Sequence, residues 1–131
     1  MFRSSRSLSD EARDELVRLG TAHITFQIED GWFVVGPTGL FVVSAADGDL
    51  RAEAHRVSER ARELRASLAQ ELSFVPFVDA VLISDEQPTP TSLPCITLGA
   101  DRLRATIAEG PRTVDDATLG RLGLLALQRL A

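Results

Sequence analysis

The chain has 131 residues, 44% of them hydrophobic and 25% charged, which fits one compact domain and is too short for two separate cores. Nineteen acidic residues against 14 basic ones give a formal charge of -5, so the field of the whole molecule repels phosphate backbones and disfavours nucleic acid as a partner. All 14 basic residues are arginine, and lysine, tyrosine and asparagine are missing altogether, which excludes a Schiff-base lysine, a P-loop lysine and a tyrosine nucleophile. The missing types have A/T-rich codons, so a GC-rich coding sequence accounts for the gap.

The single cysteine, Cys95, has no internal partner for a disulfide, and a cytoplasmic location is the default expectation. Residues 1–8 read as a flexible arm carrying Arg3 and Arg6, with no apolar stretch behind them to make a signal peptide. The longest apolar stretches, 74–83 and 122–127, fall well short of the ~18–20 residues that a membrane span needs, so no membrane partner is expected. The rest, 9–131, reads as one domain.

Ser9 followed by Asp10 and Glu11 predicts the start of a first helix over about 10–19, closed by Gly20. From Ala22 the period changes to two, with Ile24, Phe26 and Ile28 on one side and His23, Thr25 and Gln27 on the other, which predicts a half-buried strand. Glu29-Asp30-Gly31 turns the chain into a second strand, 32–35, and Gly36-Pro37-Thr38-Gly39 turns it again into a third, 40–43. Leu50, Ala54, Val57, Ala61, Leu64, Leu68 and Leu72 then recur at spacings of three and four, predicting a long amphipathic helix whose other faces carry five arginines interleaved with glutamates. Phe77–Ile83 reads as a strand buried on both faces, 84–94 as a proline-rich loop, and Cys95–Leu98 as a short strand. A helix from Asp101 ends at Gly110-Pro111, and Thr113-Val114-Asp115-Asp116 opens a last helix in which Gly120 and Gly123 call for close backbone packing. The expected fold is α/β, in the order α-β-β-β-α-β-β-α-α, with a mixed central sheet flanked by helices and the long helix as the crossover between the third and fourth strands.

This order, together with the run Trp32-Phe33-Val34-Val35-Gly36-Pro37-Thr38-Gly39-Leu40-Phe41-Val42-Val43, resembles the nuclease-related domain, a branch of the restriction-endonuclease-like fold, over about residue 9 to the end. The resemblance implies an aspartate at the start of the strand before the Gly-Pro turn, and an acidic-x-lysine motif at the end of the strand after it. Such carboxylates hold a hard divalent cation, and the lysine supports a metal-activated water. Aligned on the turn, however, the first aspartate position falls on Gly31, with Asp30 adjacent, the second acid on Ser44 and the lysine on Ala46. The resemblance therefore implies the scaffold, with its catalytic positions degenerate.

Glu29, Asp30, Asp47 and Asp49 are the remaining carboxylates from which a metal site could be rebuilt, but ordinary turn and helix-cap chemistry accounts for all four. His23, His55 and Cys95 lack the spacing of a zinc site. Trp32 reads as a packing residue, and Gly36-Pro37-Thr38-Gly39 joins two strands and so is no phosphate cradle. The expectation is thus a catalytically inactive domain with no catalytic residue, no metal and no cofactor, acting as a protein-interaction or self-association module. The alternatives are a nucleic-acid binder without cleavage and a divergent metal-dependent nuclease. The last helix, with leucines at 119, 122, 124, 125, 127 and 130, carries more than one apolar stripe and suits a homo-oligomer.

Overall fold

The computed structural model describes residues 8–46, 48–85 and 94–130. The elements in chain order are α1 (Leu8–Val17), β1 (Ile24–Ile28), β2 (Gly31–Gly36), β3 (Gly39–Ala45), α2 (Leu50–Ala69), β4 (Val78–Ile83), β5 (Ile96–Leu98), a 3₁₀ turn (Ala100–Arg102), α3 (Leu103–Ala108) and α4 (Asp116–Leu130). The expected order therefore holds throughout. The expected N-terminal boundary does not: Leu8, read as part of the arm, starts α1, and Ser9 lies inside the helix instead of capping it. The remainder of the arm, Asp47 and most of the proline-rich loop lie outside the described residues.

One five-stranded sheet has the order β1-β2-β3-β4-β5. The first three strands form the antiparallel meander, with Phe26 opposite Phe33 and Val34 opposite Phe41, and β4 and β5 add in parallel, with Val42 opposite Ala80 and Leu82 opposite Thr97. Joining β3 to its parallel neighbour β4 needs a crossover, and α2 supplies it.

Both faces of the sheet are covered, which explains the nearly unbroken apolar runs of β2, β3 and β4. On one face Phe33, Val35, Leu40, Val42 and Leu82 pack beneath the stripe Ala54, Val57, Ala61, Leu64 and Leu68 of α2, and beneath Leu122, Leu125 and Ala126 of α4. On the other, Val34, Phe41, Val43, Val81 and Ile83 meet Ala12 and Leu16 of α1 and Leu103 and Ile107 of α3, with Trp32 packed at the rim. The molecule is thus a three-layer α/β/α arrangement. Phe77 departs from its expected burial: the strand starts one residue later and the ring is 72% exposed. A continuous apolar run carries no mark of where its buried part begins.

Helix ends follow local chemistry. Gly20 takes φ +82° just beyond α1, where an L side chain is strained. Asp49 caps α2, its carboxylate accepting from the Arg51 N–H at 3.2 Å. α4 is capped by Asp115, whose Oδ1 accepts from the Thr118 N–H at 2.7 Å, and this bond holds its carboxyl below the usual aspartate range. Thr113, expected to open that helix, instead donates its hydroxyl to the Thr38 carbonyl at 3.1 Å and ties the β2–β3 turn to the chain after α3.

The two glycines of α4 also differ. A Cβ on Gly123 would stand 3.1 Å from Ile24 Cδ1, so helix and β1 approach closely there, whereas a Cβ on Gly120 would meet nothing within 4 Å. Gly120→Ala is therefore expected to stabilise the protein by about 1 kcal/mol, the ordinary helix-interior difference between the two residues. A urea titration checks it.

Candidate functional site

The positions that the resemblance marks for catalysis come together where the β1–β2 turn, the end of β3 and the first turns of α2 meet. Asp30 lies exposed in the turn, and its backbone carbonyl accepts from the Ser44 hydroxyl at 2.9 Å. At Gly31 a Cβ would overlap the Val43 carbonyl oxygen and stand 3.2 Å from Ser44 Cα, so no side chain fits at the first aspartate position. Ala46 donates its N–H to the Ile83 carbonyl at 2.8 Å, and its methyl packs against the core. Geometry thus converts all three degenerate positions into ordinary ladder and turn contacts.

The neighbouring charges do not favour a cation site. Ile28, Asp30, Val42, Ser44, Glu53, Arg56, Val57 and Arg60 surround a cavity of about 10 Å³, room for a single water. Arg56 bonds Glu53 at 2.6 Å, and Arg60 approaches Glu63 at 3.8 Å. Two guanidiniums balance the two carboxylates, Asp30 and Glu53, and Glu53 is already paired with Arg56, so the lining offers a divalent cation no net negative charge. Of the carboxylates read as metal candidates, Glu29 and Asp30 are exposed in the turn, Asp49 serves as the α2 cap, and Asp47 lies outside the described residues. No group of three metal-ligating side chains occurs among the described residues. Because Asp49 acts as a cap, Asp49→Ala is expected to cost about 1 kcal/mol in thermal or chemical unfolding, with the same loss in chelator as in Mg²⁺.

His23 stands differently from its expected place on the polar side of a strand. Its ring lies over Gly36, where a Cβ would collide with it, and is half-buried. Thr38 Oγ1 donates to the Ile107 carbonyl, so it accepts from His23 Nε2–H at 3.5 Å. That leaves Nδ1 buried without a partner among the described residues, and burial pushes the imidazole below the usual histidine range. His23 is therefore a packing group that ties the chain just before β1 to Gly36 and, through Thr38, to the Ile107 carbonyl of α3. Cys95 is half-buried just before β5, and burial pushes its thiol up, with a smaller opposing effect from the Thr97 side chain. A raised thiol is a poor nucleophile.

A feature that the sequence reading missed lies at the carboxyl ends of β4 and β5, the usual place for a cleft in a parallel sheet. There Ser84, Asp85, Leu98, Gly99 and Asp101 face Glu11, Asp14 and Glu15 of α1 across a cavity of about 950 Å³. Its signal in the sequence is weak, since the two strand ends meet only through the parallel β4–β5 pairing, which the Ser84 N–H extends by a bond of 2.9 Å to the Leu98 carbonyl. Glu11, Asp14, Glu15, Asp85 and Asp101 outnumber Arg18 and Arg102 in its lining, and Arg18 pairs with Glu15 at 3.2 Å. An acidic cleft repels phosphates.

Three of the five arginines of α2 are held by neighbouring groups of the chain. Along α2, Arg56 and Arg62 pair with Glu53 and Glu59 at 2.6 and 2.9 Å, and Arg65 donates to the Val75 and Pro76 carbonyls at 2.9 and 3.3 Å. No phosphate-tracking stripe forms there. Among the described residues no helix is long and apolar enough to cross a membrane. Comparison with protein-family models, with curated proteins and with solved structures finds no match to this chain.

Proposed function

We propose that this chain is a nuclease-related-like domain of the restriction-endonuclease-like class that has lost catalysis and acts as a protein-interaction or self-association module. The observation that carries the reading is the closure of Gly31 by the Val43 carbonyl, at the position where that class holds its first metal-binding aspartate. Ser44 and Ala46, engaged in a turn bond and in the core, support it from the other side of the same site. An interaction role draws on what the surface offers: Ile24, Leu124 and Leu127, on β1 and the helix packed on it, are large apolar side chains left exposed.

The test is a gel shift and a cleavage assay on double- and single-stranded DNA, with Mg²⁺ or Mn²⁺, at low and moderate salt. The reading expects neither cleavage nor a retarded band. A band that weakens steeply as salt rises identifies the nucleic-acid binder instead, and metal-dependent cleavage identifies a divergent nuclease.

A further inference from the structure

β1 is an edge strand whose outer side pairs with nothing among the described residues. Proteins normally blunt such an edge with charge, proline, a bulge or a covering element, yet Ile24-Thr25-Phe26-Gln27-Ile28 contains no charge and no proline and pairs with β2 in continuous register. The two-residue turn at Glu29-Asp30 closes on the pair Ile28 and Gly31. A pair closing such a turn exchanges hydrogen bonds, so counting back by twos directs the backbone groups of 28, 26 and 24 toward β2 and those of Thr25 and Gln27 outward.

We infer that this edge is the pairing surface for a second copy of the same chain, β1 adding antiparallel to its own counterpart about a two-fold axis at Phe26. The inference names the partner for the interaction module proposed above and rests on that reading. The strand is self-complementary under that operation: Phe26 meets Phe26 of the second copy, Thr25 meets Gln27, and Ile24 meets Ile28, as an isologous interface requires. Charge fits the same register. In a molecule of net charge -5, copies approach best where acids do not meet, and here Glu29 falls opposite His23 of the second copy and not opposite an acid.

The helix above the strand extends the contact. Gly123 of α4 sits on Ile24, and Leu124 and Leu127, next to it and one turn on, are 60% and 53% exposed, with Ile24 itself 44% exposed. A two-fold axis perpendicular to the sheet keeps both copies of α4 on the same side, so these leucines flank the junction. A footprint about 17 Å long, one strand and one helix layer deep, belongs with interfaces of under about 1,200 Å², which are reversible.

The experiment is sedimentation of the full chain from about 10 µM to about 1 mM, combined with amide hydrogen exchange at both ends of that range. The expected result is a monomer–dimer equilibrium in which the Thr25 and Gln27 amides slow with concentration. Gln27→Pro removes an outward N–H that the monomer does not use, and Leu127→Glu places charge at the junction; each is expected to weaken the dimer at least about 10-fold. A chain that stays monomeric throughout, or a dimer that neither variant weakens, overturns the inference. Should Gln27→Pro fail to fold by circular dichroism, Leu127→Glu and the exchange data decide. Metal-dependent DNA cleavage would sink the inactive reading without touching this equilibrium, so the two fail separately.

Discussion

Replacing Gly31 with aspartate, the residue that the nuclease-related pattern holds at that position, is expected to destabilise the protein by about 3 kcal/mol or more and to restore no cleavage. The cause is steric. Any Cβ there overlaps the carbonyl oxygen of Val43 and crowds Ser44 Cα, and both are backbone atoms of a buried ladder that cannot swing aside as a flexible side chain can. Gly31→Ala carries the same clash without the charge and is expected to lose nearly as much. Urea unfolding of the two variants beside the parent measures it. Wild-type stability in both would mean that the turn has room for a side chain and that Gly31 is not closed.

The second large effect is expected at Phe33. Its ring is fully buried in the core beneath α2 and α4, stacked on Phe26 with centroids 6.4 Å apart. Truncation to alanine removes that contact and leaves a cavity that β2, held by a partner on each side, cannot close, so Phe33→Ala is expected to cost about 3–5 kcal/mol. Phe77→Ala, in contrast, is expected to change stability by no more than about 0.5 kcal/mol, because that ring is 72% exposed. Chemical denaturation of both variants provides the comparison, and a similar loss in both would contradict the burial described here.

These two phenylalanines mark how far the sequence reading reaches. Each stands in an apolar run of strand-forming residues, and periodicity treats them alike. What separates them is tertiary: β2 lies between β1 and β3 under two helices, whereas Phe77 precedes the first paired residue of β4. The long helix was legible because its stripe of alanine, valine and leucine repeats over five turns, whereas the choice between Asp47 and Asp49 as its cap was not, and Asp49 holds that place. β1 was legible from its period of two, and the other strands from apolar runs between turn or loop residues, which left the starts of β4 and β5 one residue early. Thr113 was misread because a threonine two residues before a cap looks the same whether it caps the helix or, as here, binds the distant Thr38.

The candidate site divides in the same way. That Gly31, Ser44 and Ala46 cannot supply a metal-binding acid and a lysine was plain from residue type. That Gly31 also has no space for a side chain, and that Arg56 and Arg60 face the position, depends on the approach of β3 and α2, which no local pattern encodes. The acidic cleft at the ends of β4 and β5 and the open edge of β1 depend in turn on strand order. The missing lysine, a compositional oddity by itself, thus joins the closure of Gly31 in support of the proposal that no metal is held at this turn.

The most direct test of that claim is thermal unfolding with and without about 10 mM Mn²⁺ or Mg²⁺. A cation held with a dissociation constant of about 0.1 mM would add about 2.7 kcal/mol of stability, a rise of several degrees in Tm for a chain of this size. The structure predicts coincident melts in metal and in chelator. A melt raised by several degrees in either metal, and lost on Asp30→Ala, would contradict it.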